Sequence, residues 1–193
     1  MFWHQTGYKY RPPPIMDKSK SENTPAFLAH MCEQIGIYQE PLLLINLVEF
    51  YGREAPLGEA FLDHAIDMNK DSAVYVAFDF HDHCRGLRFD KVQILLDGVA
   101  PILKEMKFSW LDKTGMLVCK QNGVPRVNCV DCLDRTNVVQ TAIARTVLEG
   151  QLLKVGILSP DDPLPSNLLK ILQHAWADNG DKISHQVQTS KCE

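Results

Sequence analysis

Cys129-Val-Asp-Cys-Leu-Asp-Arg135-Thr136-Asn137 sets a cysteine and an arginine six positions apart. On its amino-terminal side lies the strand-like run 124–128, and on its carboxy-terminal side the apolar residues recur with helical spacing. Val139, Ile143 and Val147 repeat at i+4, joined by Ala142, Thr146 and Leu153, and Gly156 follows Lys154 as a carboxy-terminal cap. The stretch therefore predicts strand, loop, helix in that order. Just upstream, Met116 to Lys120 and Val124 to Asn128 predict two short strands around Gln121-Asn122-Gly123, a hairpin signal with Asn-Gly at its tip.

This order suits a thiolate that attacks phosphorus. A thiol with an unperturbed pKa of about 8.5 is mostly protonated near pH 7, so something must hold the negative charge. Backbone N–H groups of a loop wrapped at a helix start, the helix dipole and a guanidinium can do so, and the same donors bind phosphoryl oxygens. Arg135 offers two parallel donors where lysine offers a point charge. Thr136 would donate its hydroxyl hydrogen to the departing thiolate. Two ionised acids inside such a loop would repel a phosphate, so at least one of Asp131 and Asp134 has another task. The useful one is to protonate the leaving oxygen and later take a proton from the attacking water. The alternative for either acid is a bracing hydrogen bond to backbone N–H groups.

Arg126-Val-Asn-Cys-Val-Asp-Cys-Leu-Asp-Arg-Thr-Asn-Val-Val-Gln140 resembles the signature of the Sac-domain phosphoinositide phosphatases. Phe78-Asp-Phe-His81 with Cys84, Tyr10-Arg-Pro-Pro-Pro14, Ile45-Asn-Leu-Val48 and Trp176-Ala-Asp-Asn-Gly-Asp181 resemble further motifs of that family. His81-Asp-His-Cys-Arg-Gly-Leu-Arg88 and Ile183-Ser184 are similar to the branch that removes the 4-phosphate of phosphatidylinositol 4-phosphate on endosomes. The resemblance implies a phosphocysteine mechanism with Cys129 as nucleophile, Arg135 as phosphate clamp and no metal or other cofactor. It implies Asp134 as the acid, because its place beside Arg135 also resembles the loop acid of the myotubularin phosphatases; Asp131 is the substitute. Substrate contacts then fall to Val130, Asp131, Cys132, Leu133 and Asn137, with His81 and Arg88 from the upstream motif. The implied partner is a phosphoinositide at a membrane surface, on the cytosolic face of endosomal or other internal membranes, with no nucleic acid. Sac domains are longer than this chain and begin with a separate subdomain, so residues 1–193 are expected to be part of a Sac catalytic domain, with its amino-terminal subdomain and carboxy-terminal end missing.

Composition agrees with one folded core: 45% of the 193 residues are hydrophobic, enough to bury a domain interior. No run reaches the about 18 apolar residues of a membrane span, and Met1-Phe-Trp-His-Gln lacks the basic start and apolar core of a signal peptide. Six irregularly spaced cysteines suggest a reducing compartment. A net charge of −4 leaves attraction to anionic lipid to local patches, either Lys9, Arg11, Lys18 and Lys20 or Arg85, Arg88 and Lys91.

The remaining pattern predicts an α/β architecture, a central mixed sheet flanked by helices with a cysteine-phosphatase-like phosphate loop between a strand and a helix. Leu42 to Val48 and Val74 to Phe80 are expected as buried strands. Helices are expected over Pro25 to Ile35 behind Thr24, Leu57 to Met68, Phe89 to Met106 with a break or kink at Pro101, and Asn167 to Trp176 behind Ser166. Two competing functions follow from the same residues. Cys129, Cys132, His81, His83 and Cys84 would suffice for a tetrahedral zinc site. A truncated, catalytically silent fragment would bind phosphoinositide through the same loop without turning it over. Cys132 is either small apolar filler or a partner that traps oxidised Cys129 as a disulfide.

Overall fold

The computed structural model describes residues 1–6 and 12–189. Its centre is β1 (Leu42–Asn46), a strand buried along its whole length. Unbroken apolar sequence there, Leu-Leu-Leu-Ile, reflects cover on both faces. Leu43 and Ile45 point into one cluster with α4 (Val92–Met106) and α5 (Asp134–Lys154), whereas Leu42 and Leu44 point into another with α1 (Lys20–Tyr38) and α2 (Ala55–Met68). β1 pairs in parallel with β2 (Ala73–Ala77) on one side and with β5 (Val124–Asn128) on the other, giving the order β2-β1-β5. A separate antiparallel pair joins β3 (Trp110–Leu111) to β4 (Leu117–Cys119).

The expected mixed sheet is thus corrected: the central sheet is wholly parallel and the antiparallel pair stands apart from it. The cause lies in the connections. A helix in the β1–β2 crossover, and α3 (Phe80–His83) with α4 between β2 and β5, return the chain to the same end each time. The Asn-Gly hairpin is corrected for the same reason. β5 pairs with β1 and β4 with β3, and β4 and β5 do not pair with each other. The intervening amides go elsewhere: Asn122 N–H donates to the Met106 carbonyl at 2.9 Å and Gly123 N–H to the Tyr38 carbonyl at 2.8 Å.

Helix boundaries differ from expectation mainly where the capping signal was overlooked. α1 begins five residues before Pro25, because Ser19 and Glu22 form a reciprocal capping box, and Pro25 sits inside the helix. α2 begins two residues before the expected Leu57, with Pro56 in its first turn. α4 runs through Pro101 to Met106 without ending, preceded by a 3-10 turn over Phe89–Lys91, and buries the stripe Val92, Leu95, Leu96, Val99, Leu103 and Met106. After α5, Gly156 adopts φ +74° and its N–H donates to the Leu153 carbonyl at 3.2 Å. α6 (Ser166–Thr189) continues well past Trp176.

A polar row crosses the sheet near the strands' carboxy-terminal ends. Arg126 donates to Asn128 Oδ1 at 3.2 Å, Asn128 Nδ2 to Asn46 Oδ1 at 3.2 Å, and Asn46 Nδ2 to the Tyr75 hydroxyl at 3.1 Å. Each buried amide is satisfied only in this register, so the row fixes β2, β1 and β5 against slippage.

Gly123 is the tightest backbone position in this frame. It has φ +78°, and a Cβ there would fall within the Pro41 backbone. Gly123→Ala is therefore expected to destabilise the fold by more than about 2 kcal/mol, read as a lower urea midpoint with unchanged slope. An unchanged midpoint would contradict the close approach.

Candidate functional site

Parallel strands put their carboxy-terminal ends on one edge, and the loops leaving that edge bring distant residues together. From β1 the chain turns toward α2, on the Leu42/Leu44 face; from β5 it turns toward α5, on the Leu43/Ile45 face. Neighbouring strands whose helices depart to opposite faces leave a crevice between their loops, the usual place for a ligand in an open α/β sheet. Here the two facing loops are residues 47–54 and 129–135, joined by Arg135 through the Leu47 carbonyl and Glu54.

Cys129 follows β5 directly, is 4% exposed and packs in the cluster shared by β1, α4 and α5. The loop then folds back on itself. Cys132 takes φ +55°, a left-handed conformation rare for a residue with a side chain, and its Sγ donates to the Cys129 carbonyl at 3.4 Å. Asp131 Oδ1 accepts the Leu133 N–H at 3.2 Å, which is the bracing role foreseen as its alternative. Val130 and Leu133 are half-buried, and Leu133 is the residue before α5 without a side-chain cap. Asp134 opens α5, is exposed and makes no side-chain hydrogen bond among the described residues.

Arg135 lies one residue further, and its guanidinium crosses the crevice. Nη1 donates to Glu54 Oε2 and Nη2 to Glu54 Oε1, both at 2.8 Å, with the Leu47 carbonyl 3.5 Å from Nη1. Both partners are largely shielded from solvent. Burial pushes the Glu54 carboxyl up, but the Arg135 hydrogen bonds and charge, with the Glu49 N–H, pull it below the ordinary carboxylate value. Glu54 in turn holds Arg135 still more firmly protonated. The Cys129 thiol is pushed up by burial, and Arg135 and the Cys132 backbone only partly oppose this. That direction is opposite to a loop that lowers its thiol: the guanidinium does not outweigh desolvation. Thr136 is 6% exposed and its Oγ1 is buried with no hydrogen-bond partner among the described residues.

Residues 1–85 match the family described as the SacI homology domain. Across nearly the whole chain, 96%, the sequence is 50% identical to a human protein named phosphatidylinositide phosphatase SAC2 and 49% identical to its mouse counterpart. The chain is also 36% identical, again over 96% of its length, to zebrafish phosphatidylinositol-3-phosphatase SAC1-A. The chain is thus similar to SacI homology proteins over nearly its whole length. It spans 16% of the length of those SAC2 relatives and 32% of the SAC1-A relative. The family match ends before the crevice wall at 129–135, but the similarity to both relatives runs through it.

Other motifs that resemble those of the SacI homology family surround the crevice. Asp79, buried, accepts the Phe50 N–H at 2.8 Å and the Asp82 N–H at 3.0 Å, so it joins the loop after β2 to the loop after β1. His81 is exposed, with Nδ1 3.9 Å from Glu49 Oε1. Arg88 is exposed at the start of the 3-10 turn, and no hydrogen bond or ion pair is described that brings it to Cys129. Of the first basic patch, Lys18 sits 4.1 Å over the Phe2 ring and Lys20 pairs with Asp67 at 2.9 Å, which makes them structural surface contacts; Lys9 and Arg11, and Tyr10 of the proline motif, lie outside the described residues. The zinc reading is not met by the geometry: among the described residues no three His, Cys, Asp or Glu side chains converge. His83 stacks on Phe78 with centroids 4.6 Å apart, and Cys84 is buried in the apolar cluster. Nor is any helix among the described residues long and apolar enough to cross a membrane.

Asn137 has a role the sequence did not suggest. Its Nδ2 donates to the Trp176 carbonyl at 3.1 Å, and its Oδ1 accepts from Asn179 Nδ2 at 3.1 Å, so it locks α5 to α6. A Cβ at Gly180 would come within 3.0 Å of Asn137 Nδ2, which shows how closely the helices approach there. Asn137→Ala should cost about 1–3 kcal/mol in urea unfolding, because it strands a donor and an acceptor at a half-buried contact. A change under about 0.3 kcal/mol would contradict the lock.

Proposed function

We propose that this chain forms the reacting part of a phosphoinositide phosphatase that hydrolyses an inositol-ring phosphomonoester. The single observation carrying the proposal is a buried cysteine between a parallel strand and a helix, with an arginine in that helix's first turn reaching across the crevice. Support for the substrate class comes from the SAC2 and SAC1-A names of its relatives. In this reading the Cys129 thiolate attacks phosphorus, the bond from phosphorus to the ring oxygen breaks, and Asp134 gives that oxygen a proton. Water then attacks the phosphocysteine while Asp134 takes its proton, breaking the sulfur–phosphorus bond and releasing inorganic phosphate and the thiolate. Asp134 suits this task better than Asp131, whose carboxylate already braces Leu133. The buried, unpartnered Thr136 hydroxyl supports a donor awaiting the sulfur anion, since an orphaned polar atom costs about 1–3 kcal/mol without such a use.

For the ring position, the 4-phosphate of phosphatidylinositol 4-phosphate is favoured by the resemblance of residues 81–88 and 183–184 to the endosomal branch. The working surface would be the cytosolic face of an internal membrane, with Val130, Cys132, Leu133, Asn137, His81 and Arg88 around the headgroup. A second reading draws on the raised Cys129 thiol: a loop that keeps its sulfur protonated would bind phosphoinositide without turnover.

Phosphate release from a panel of short-chain phosphoinositides, in the presence of chelator, separates the two. We expect release greatest with the 4-phosphate, lost in Cys129→Ser, and reduced about 10²- to 10⁴-fold in Asp134→Asn, with a smaller loss in Asp131→Asn. Binding with no release would favour the silent reading, and equal rates for wild type and Cys129→Ser would overturn the nucleophile.

A further inference from the structure

The ion partner of Arg135 belongs to no motif that drew attention in the sequence, yet it governs the residue on which the proposed chemistry turns. A guanidinium has five N–H groups. Glu54 takes one from each terminal nitrogen, an end-on grip at 2.8 Å on both sides. That leaves Nε–H and the second Nη2 hydrogen along one edge, the spacing that receives two oxygens of a phosphate.

Glu54 is itself held. Its Oε2 also accepts the Glu49 N–H at 3.2 Å, and its backbone carbonyl accepts Leu57 N–H at 3.0 Å and Gly58 N–H at 3.3 Å in the first turn of α2. The aim of Arg135 is therefore referred to a helix on the opposite face of the sheet. Charge works against it at the same time, because a carboxylate on the guanidinium lessens what that guanidinium does for a neighbouring sulfur anion.

We propose that Glu54 is a positioning residue for Arg135, gripping it end-on so that its free edge faces the phosphate site, and acting as the countercharge that limits ionisation of Cys129. This role rests on Cys129 and Arg135 acting as proposed above. The titratable groups acting on Cys129 are Arg135 from α5 and Asp131 and Cys132 from its own loop, with Cys84 in the same apolar cluster, while Asp79 at the end of β2 acts on Glu54. None of these changes in the variants below.

The test reads sulfur and turnover separately, on the whole chain. Alkylation of Cys129 by iodoacetamide, followed across pH by peptide mass spectrometry, gives an inflection that reports ionisation and a plateau that reports access. Glu54→Gln should lower the inflection by about one pH unit with an unchanged plateau. Phosphoinositide turnover in the same variant should fall about tenfold to a hundredfold in kcat/KM, since the Gln amide opposes one guanidinium N–H and the grip becomes single. Glu54→Asp keeps the charge and shortens the reach, so its inflection should match wild type while turnover still falls. An unmoved or raised inflection in Glu54→Gln overturns the countercharge, as does a raised plateau, which marks a loosened loop. Wild-type turnover in both variants overturns the positioning. If Glu54→Gln does not fold, Glu54→Asp decides: a wild-type inflection with reduced turnover upholds the proposal, and any other result overturns it. Were wild type itself to release no phosphate, the functional reading would fail while the alkylation inflections still decide the role of Glu54.

Discussion

Parallel pairing of β1 with β5 is the constraint from which the rest follows. Residues 46 and 128, far apart in the chain, stand side by side in that register, and the loops after them become the two walls of one crevice. Apolar burial supplies the driving force: each leucine or isoleucine of β1 lies essentially out of water, worth about 1.5–3 kcal/mol apiece. Side chains alternate along the strand, so its four apolar residues anchor α1 and α2 on one face and α4 and α5 on the other. Opposite departures of α2 and α5 then make room at the strand ends.

What fills that room is decided by charge. A buried guanidinium needs a partner, and the fold provides Glu54 from across the crevice. Arg135 is also the positive charge acting on Cys129, and it only partly opposes the burial that pushes that thiol up. The site is consequently an arginine held end-on by Glu54 beside a cysteine well shielded from water. Similarity to SacI homology proteins gives that arrangement its chemical context.

Patterns confined to one segment were legible in the sequence. The apolar run of β1, the apolar stripe of α4 and the i+4 repeat of α5 each state their environment without reference to anything distant. The order strand, loop, helix around Cys129 was legible for the same reason. Features that depend on partners far along the chain were not. Asn122-Gly123 has the composition of a hairpin turn, but which strand β5 pairs with is settled by β1, and the glycine serves a close approach to Pro41. Glu54 and Arg135 are 81 residues apart, so no local spacing announces them. Asn137 was noticed as a loop neighbour, while its contact with α6 depends on a helix longer than its apolar pattern suggested. The start of α1 was available in Ser19 and Glu22, whose reciprocal cap was masked by the stronger punctuation of Thr24-Pro25.

The central claim is that a single sulfur carries the phosphoryl group between substrate and water. Rapid acid quenching of the working protein with phosphoinositide labelled in its ring phosphate, followed by peptide mapping, tests it directly. The account predicts label covalently attached to Cys129, appearing before free phosphate accumulates and absent when that residue is serine. Label on another residue, or phosphate released with no trapped adduct under conditions that trap a control phosphocysteine, would contradict it.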